Sequence, residues 1–311
     1  MRPEPDGKMG KQAEAGEYGE GGEKSKRKFI VKLIKAIKKN EELISEMDSF
    51  LQDENGFHLW WLGQSGYLLQ WSAKRVLIDP YLSDSLTKKY LTTEKPHTRM
   101  SELVIRPELL KNISVVTSSH NHTDHLDAET LAPVLKSNPY IKFIIPEANR
   151  NFVCERVKCA NDFPIGLNDG KSVTVDGFTF HGMPAKHNEI DRDEKGNCKY
   201  MGYVIEFGKY KIYHSGDTLW FDEMVDLLKP YNVDAALLPI NGNKRERKVA
   251  GNLDCKEAAV LGKAINAKFV VPCHYDLFEF NTADVNDFAD EAKKISQPYK
   301  ILRGGEHFAF Q

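Results

Sequence analysis

From His58 onward the apolar positions come in short runs: HLWWLGQSGYLLQ, KRVLIDPYL, ISVVTSS, IKFIIPEA, SVTVDGFTFHGM, YMGYVIEFGKYKIYHSGD, VDAALLPI and KFVVPCHYD. Each is rich in Val, Ile, Leu or aromatic residues and is broken by Gly, Asp-Pro or Asp-Gly, the punctuation of β-strands. SVTVDGFTFHGM predicts a hairpin around its Asp-Gly turn. Between the runs, positions around 127–136, 148–158, 221–229, 254–266 and 284–295 predict helices. In each half, strand pairs come first and strand–helix alternation follows. That order predicts an α/β (α+β) domain with helices packed outside two central sheets.

The N-terminal 52 residues differ in texture. Residues 1–25 are rich in Gly, Glu and Lys and poor in apolar side chains, so they cannot offset the entropy of ordering and are expected to form a disordered tail. Residues 26–52 predict an amphipathic helix. Phe29, Ile30, Leu33, Ile34 and Ile37 share one face, with Lys28, Lys32, Lys35, Lys38 and Lys39 largely opposite. Such a helix docks on the domain or, through residues 26–39, makes peripheral contact with an anionic membrane. Residues 53–311 are then the folded domain.

Composition adds little that is unusual. Hydrophobic residues make up 41% of the 311 and charged ones 28%, enough for a sizeable core. With 43 basic against 45 acidic residues, nothing in the global charge points to nucleic acid. The five cysteines are scattered without a CxxC pair, so a disulfide framework is not expected. No apolar stretch reaches the roughly 18–20 residues of a membrane span, and the N-terminus lacks the apolar core of a secretory signal. A cytoplasmic location is the expectation.

The chemistry concentrates in SSHNHTDHLD, residues 118–127, where three of the ten histidines fall. His120, His122, Asp124 and His125 directly follow a strand-like run. On extended backbone, an i, i+2 spacing sends two side chains the same way; on a helix they would diverge by about 200°. Imidazole and carboxylate suit zinc, manganese or iron. The same pattern recurs downstream. His187 follows FTFHGMPAK, Asp217 follows KIYHSG and His274 follows KFVVPC. With two metals, His120, His122 and His187 could hold one ion. Asp124, His125 and His274 could hold the other, with Asp217 bridging. Asp127 and Asp276 lie beside ligands and could orient them from a second shell. Gln64 and Ser65 form a Gly-flanked turn that either reaches the metal rim or is a plain hairpin turn.

The series H-x-H-x-D-H, a lone His, S-G-D and a final His resembles the metallo-β-lactamase fold superfamily, in an order and spacing that fit across about residues 58–310. The resemblance implies a four-layer αββα sandwich and one or two divalent metal ions, zinc or manganese. Asp79 in VLIDPYL is similar to that superfamily's first motif, an aspartate near the metal but not bound to it. WWLGQSGYLL, HSGDT, VDAALLPI and VVPCHYDLF most resemble the L-ascorbate-6-phosphate lactonase group. There NGNKRERK is similar to an Asn- and Arg-bearing loop, which implies substrate contacts from Asn243, Arg245 and Arg247. The loop at 188–200 is shorter than in those lactonases.

These features lead to a metal-dependent hydrolase in which an activated hydroxide attacks a small anionic lactone, with Asp124 and Asp217 as catalytic residues. An alternative is a phosphodiesterase at a membrane surface, since the motif set also resembles the N-acylphosphatidylethanolamine phospholipase D branch. A non-catalytic metal-binding scaffold is a third, though a scaffold needs no bridging carboxylate. Homo-oligomerisation stays open.

Overall fold

The computed structural model describes residues 33–247 and 249–311. Its strands form two sheets. The first contains β1 (Phe57–Gly63), β2 (Gly66–Trp71), β3 (Lys74–Ile78), β4 (Ile113–Thr117), β5 (Lys142–Pro146) and β6 (Ile165–Leu167) in sequence order, with β13 (His307–Phe310) outside β1. The second runs from β7 (Ser172–Val175) through β8 (Phe178–Pro184), β9 (Met201–Phe207), β10 (Tyr210–His214) and β11 (Ala235–Pro239) to β12 (Phe269–Cys273). In each sheet an antiparallel meander gives way to parallel strands: β3 to β6 in the first, β10 to β12 in the second.

Alternation along β1 explains why every residue from Phe57 to Leu62 is buried. Phe57, Leu59 and Trp61 belong to the core between the sheets, along with Tyr67, Val76, Phe180, Tyr203 and Leu237. Trp60 and Leu62 point the other way and pack with Leu43 and Met47 of α1 (Asn40–Ser49). α3 (Ala128–Ser137) and α4 (Arg150–Val157) cover the same outer face through Leu131, Val134 and Val153. On the second sheet, α6 (Cys255–Ala264) and α7 (Val285–Lys294) bury Ala258, Leu261, Phe288 and Ala292. The layers are therefore α, β, β, α. Each fully buried Leu or Phe contributes about 1.5–3 kcal/mol, so both faces of each sheet hold the stack together. Two shorter helices, α2 (Ser85–Tyr90) and α5 (Met224–Leu228), lie in the connections after β3 and β10.

The five predicted helices are present. The expected helix over residues 26–52 is not, within the described range. Helix α1 begins only at Asn40, and residues 33–39 run extended against the domain. Ile34 N–H donates to Met100 O (2.7 Å), Glu102 N–H to Ile34 O (2.9 Å), and Ile37 N–H to Gly304 O (2.8 Å). These distant partners win over the helical periodicity. Lys38 and Lys39 pair with Glu46 and Glu102. The expected tail and residues 26–32 lie outside the described residues. Among the described residues no helix is long and apolar enough to cross a membrane.

Candidate metal centre

The seven candidate ligands come together at one end of the sandwich. His120, His122, Asp124 and His125 follow β4, His187 follows β8, Asp217 follows β10 and His274 follows β12. Their ligand atoms form two groups: His120, His122 and His187, and Asp124, His125, Asp217 and His274. Asp217 lies between the groups. Its Oδ1 is 3.2 Å from His125 Nε2, and its Oδ2 is 3.5 Å from His274 Nε2 and 3.8 Å from His187 Nε2. The S-G-D turn can place it there because Gly216 has φ +59° and no side chain; a Cβ would come within 2.6 Å of Met201 O.

The histidines are aimed by what their outer nitrogens touch. His187 Nδ1–H donates to Gly251 O at 3.2 Å. Asp79, fully buried, accepts from His125 Nδ1 (2.8 Å), Ser119 N–H (3.0 Å), Thr117 Oγ1 (3.1 Å) and the Ser119 hydroxyl. The Ser119 hydroxyl uses its one O–H to donate to Asp79, so it accepts from His120 Nδ1 at 3.0 Å. These outer bonds leave the Nε2 atoms of His120, His125 and His187 facing inward.

The inward atoms suit a candidate ion site. His120 Nε2, His125 Nε2 and Asp217 Oδ1 are buried without an aligned hydrogen-bond partner. His122 Nδ1 and His187 Nε2 face each other at 3.1 Å. Unpaired buried acceptors are costly, and divalent cations satisfy all of them. Electrostatics agree. Burial, aided by His125 and His122, pushes His120 well below the ordinary histidine value, and burial pushes His187 down to about 4. Burial also opposes charge on His125, but Asp217 and Asp124 outweigh it and hold that imidazole well above its usual range, so without a cation its Nε2 keeps a proton that metal binding would displace. Burial would raise Asp217, yet His125 and His274 hold it well below the usual carboxylate range. The donor set, five imidazoles and two carboxylates, fits zinc or manganese.

The ligands form part of the wall of a cavity of about 630 Å³. His122, Asp124, His187, Asp217 and His274 line it on one side. Leu86, Tyr90, Phe152, Val249, Phe278 and Phe280 give it an apolar wall, and Lys89 and Arg156 supply positive charge. His97, assigned no role by sequence, packs in that wall, 4.2 Å between centroids from Tyr90 and 4.5 Å from Phe280. Arg156 Nη1 also donates to Asn121 O (2.8 Å) and Leu126 O (3.3 Å), which braces the ligand loop from α4. Nothing in the local sequence marks Arg156 for this; its partners are reached only through the fold.

Other sequence expectations need correction. Asp127 orients no ligand: its carboxylate caps α3, accepting from Thr130 N–H (3.0 Å) and Thr130 Oγ1 (2.6 Å). Asp276 does not join the ligands either and lines a separate crevice beside Arg99 and Arg303. Asn243, Arg245 and Arg247 are not among the residues lining the ligand cavity. Arg247 is buried, donating to Asn241 O, Asn281 Oδ1 and Thr282 O. Asn243 and Arg245 are exposed, Asn243 beside a different groove. The same loop reaches the cavity instead through Val249 and Ala250.

Residues 74–275 match the family model described as a β-lactamase superfamily domain. A UPF0173 metal-dependent hydrolase of Methanosarcina mazei is 30% identical over 251 residues, covering 79% of this chain and 95% of that protein. One from Pyrococcus abyssi is 28% identical over 252 residues, covering 79% and 96%. Among solved structures, a metallo hydrolase from Ignicoccus hospitalis aligns with TM-score 0.61 at 24% identity, covering 83% of this chain and 99% of its own. An isothiocyanate hydrolase from Delia radicum gut bacteria aligns with TM-score 0.66 at 21% identity, covering 81% and 99%. At these identities the solved structures speak to the fold alone. With its two sheets, its ligand series and relatives that align along nearly their whole length, the chain belongs to the metallo-β-lactamase superfamily, as one of its metal-dependent hydrolases.

Proposed function

We propose that the chain opens a small anionic lactone using a pair of divalent ions, zinc or manganese. The observation that carries the reading is the joining of two ligand groups around Asp217 at the wall of a cavity of about 630 Å³, within the size range of small-molecule sites. When bound, such a pair makes hydroxide available at neutral pH and stabilises negative charge on the attacked oxygen. The protein residues do the rest. Asp217 lies between the two groups and would be the ligand shared by both ions. Asp124, partly open to the cavity, orients the attacking water and takes up its proton. Tyr200 lines the cavity beside the rings of His120 and His122, and burial keeps its hydroxyl protonated as a neutral donor to the substrate.

Lys89 and Arg156 replace Arg245 and Arg247 as the cations that meet the substrate's anionic group, because they line the cavity. The apolar wall of Tyr90, Phe278 and Phe280 takes the hydrocarbon face of the ring. A phosphodiester is the second reading, since paired ions clamp phosphoryl oxygens equally well. Its membrane-surface form loses support over residues 33–39, which run extended along the domain and place two lysines in ion pairs.

The test compares protein reloaded with manganese or zinc on a phosphorylated sugar lactone and on a bis-aryl phosphodiester. Lactone opening, followed by acid release and lost in Asp217→Ala, is expected. Turnover of the diester alone would refute the lactone reading and promote the second.

A further inference from the structure

Gln64 sits in the turn between β1 and β2, with left-handed backbone (φ +50°) and 1% exposure. Its carbonyl accepts from Trp61 Nε1 and from the main-chain N–H of His274, both at 3.0 Å. The turn and the last ligand are thus tied together. Its side chain reaches further. Nε2 donates to Asp124 Oδ2 at 2.8 Å and lies 3.0 Å from His274 Nε2. The other end of the amide, Oε1, is buried and has no partner.

An orphaned buried carbonyl oxygen costs about 1–3 kcal/mol, so nothing on that side holds the amide in its present orientation. Asp124 and His274 belong to the second ligand group, and Gln64 Nε2 now faces the lone pairs that a cation would use. A cation there repels the amide NH₂ and attracts the amide oxygen. The two ends of a carboxamide are nearly equal in size, so a half-turn about the last side-chain bond exchanges them with little movement elsewhere.

We infer that Gln64 Oε1 is a ligand of the ion held by Asp124, His125, Asp217 and His274. This rests on the two-ion reading of the centre. The position then offers three oxygen and two nitrogen donors, whereas the other group offers three imidazoles and the Asp217 bridge. Zinc sites commonly close at four ligands, while oxygen-rich sites of higher coordination suit manganese. Gln64 therefore biases the second position toward manganese and leaves the first suited to zinc.

The experiment titrates manganese into metal-stripped full-length wild type, Gln64→Met and Gln64→Glu, reading free Mn(II) by electron paramagnetic resonance. Zinc is titrated in parallel against a chromophoric chelator, and melting of the metal-free forms checks folding. Wild type is expected to bind two Mn(II). Gln64→Met keeps one at unchanged affinity and loses the other by about tenfold or more, with a smaller loss for zinc. Gln64→Glu, which restores an oxygen, keeps both. Two Mn(II) bound as tightly in Gln64→Met as in wild type would overturn the inference. So would Gln64→Glu failing as badly as Gln64→Met, because the amide nitrogen would then be what matters. A single bound ion in wild type, in both the manganese and the zinc titration, would overturn it together with the two-ion reading, a result separate from either variant outcome. If Gln64→Met does not fold, Gln64→Asn, whose shorter side chain withdraws the oxygen, makes the same comparison.

Discussion

Replacing Asp79 by Asn removes one charge from a fully buried position and almost no volume. Oδ1 receives Ser119 N–H and the Thr117 hydroxyl; Oδ2 receives the Ser119 hydroxyl and His125 Nδ1. The amide must put NH₂ at one of these places. At Oδ1 it would confront a main-chain N–H that cannot reverse, leaving a buried donor unpaired at about 1–3 kcal/mol. At Oδ2 the Ser119 hydroxyl can turn, and His125 can accept at Nδ1 by moving its proton to Nε2. That second arrangement costs less, but it protonates the nitrogen that faces Asp217 at 3.2 Å. His125 then no longer offers a lone pair. Loss of such an outer partner lowers metal affinity about 10–100-fold, or about 1.4–2.8 kcal/mol. Competition with a chromophoric chelator measures the affinity, and circular dichroism checks that Asp79→Asn still folds. A folded variant whose metal affinity stays within about twofold of wild type would refute the tautomer argument.

His187→Ala and His274→Ala should each lower metal content, while Asp217→Ala abolishes turnover with some metal retained; elemental analysis beside the activity assay decides, and full stoichiometry in all three would sink the ligand assignment. His307 lies against His58 (2.9 Å) and stacks on Phe50 and Trp60, and burial, then His58, pushes its pKa down to about 4. The folded value lies below the unfolded one, so its stabilising effect is complete above about pH 6.5 and is lost as pH falls from there toward 4, by on the order of 1–3 kcal/mol. In metal-free protein, urea melts of His307→Gln should show a shallower decline over that window than wild type; parallel declines would refute the assignment. Arg245→Ala should leave kcat and KM within about twofold, whereas Arg156→Ala, which frees Asn121 O and Leu126 O, should lower stability by about 1–3 kcal/mol and reduce turnover, read by melting and steady-state kinetics.

The convergence of the candidate ligands was legible because each follows an apolar run at a strand end, where the sheet fixes direction. The layer order was legible for a related reason: runs such as HLWWL are apolar on both faces, which only a covered sheet explains. What resisted reading depends on partners remote in the chain. Ile34 and Ile37 carry helical spacing, yet their N–H groups bond to Met100 and Gly304. Arg247 reads as a loop cation, but Asn281 and Thr282 absorb its guanidinium. Asp127 opens a helix, a capping position in its own right, and its nearness to four ligands suggests a role it does not have. The three-residue β6 and four-residue β13 are too short for any period to declare them.

β13 lies outside β1, pairing Phe57 with Phe310 and Trp60 with His307. During synthesis β1 emerges before every other strand of the described residues, and its neighbour on that side emerges after all of them. At about 5–20 residues per second the wait is on the order of 10–50 s. Throughout it, the apolar strand FHLWWLG has a bare edge, the kind that recruits strands from other chains. Ribosome-associated holdases that shield such an edge should therefore raise the soluble yield of this protein, read as the soluble fraction with and without their co-expression.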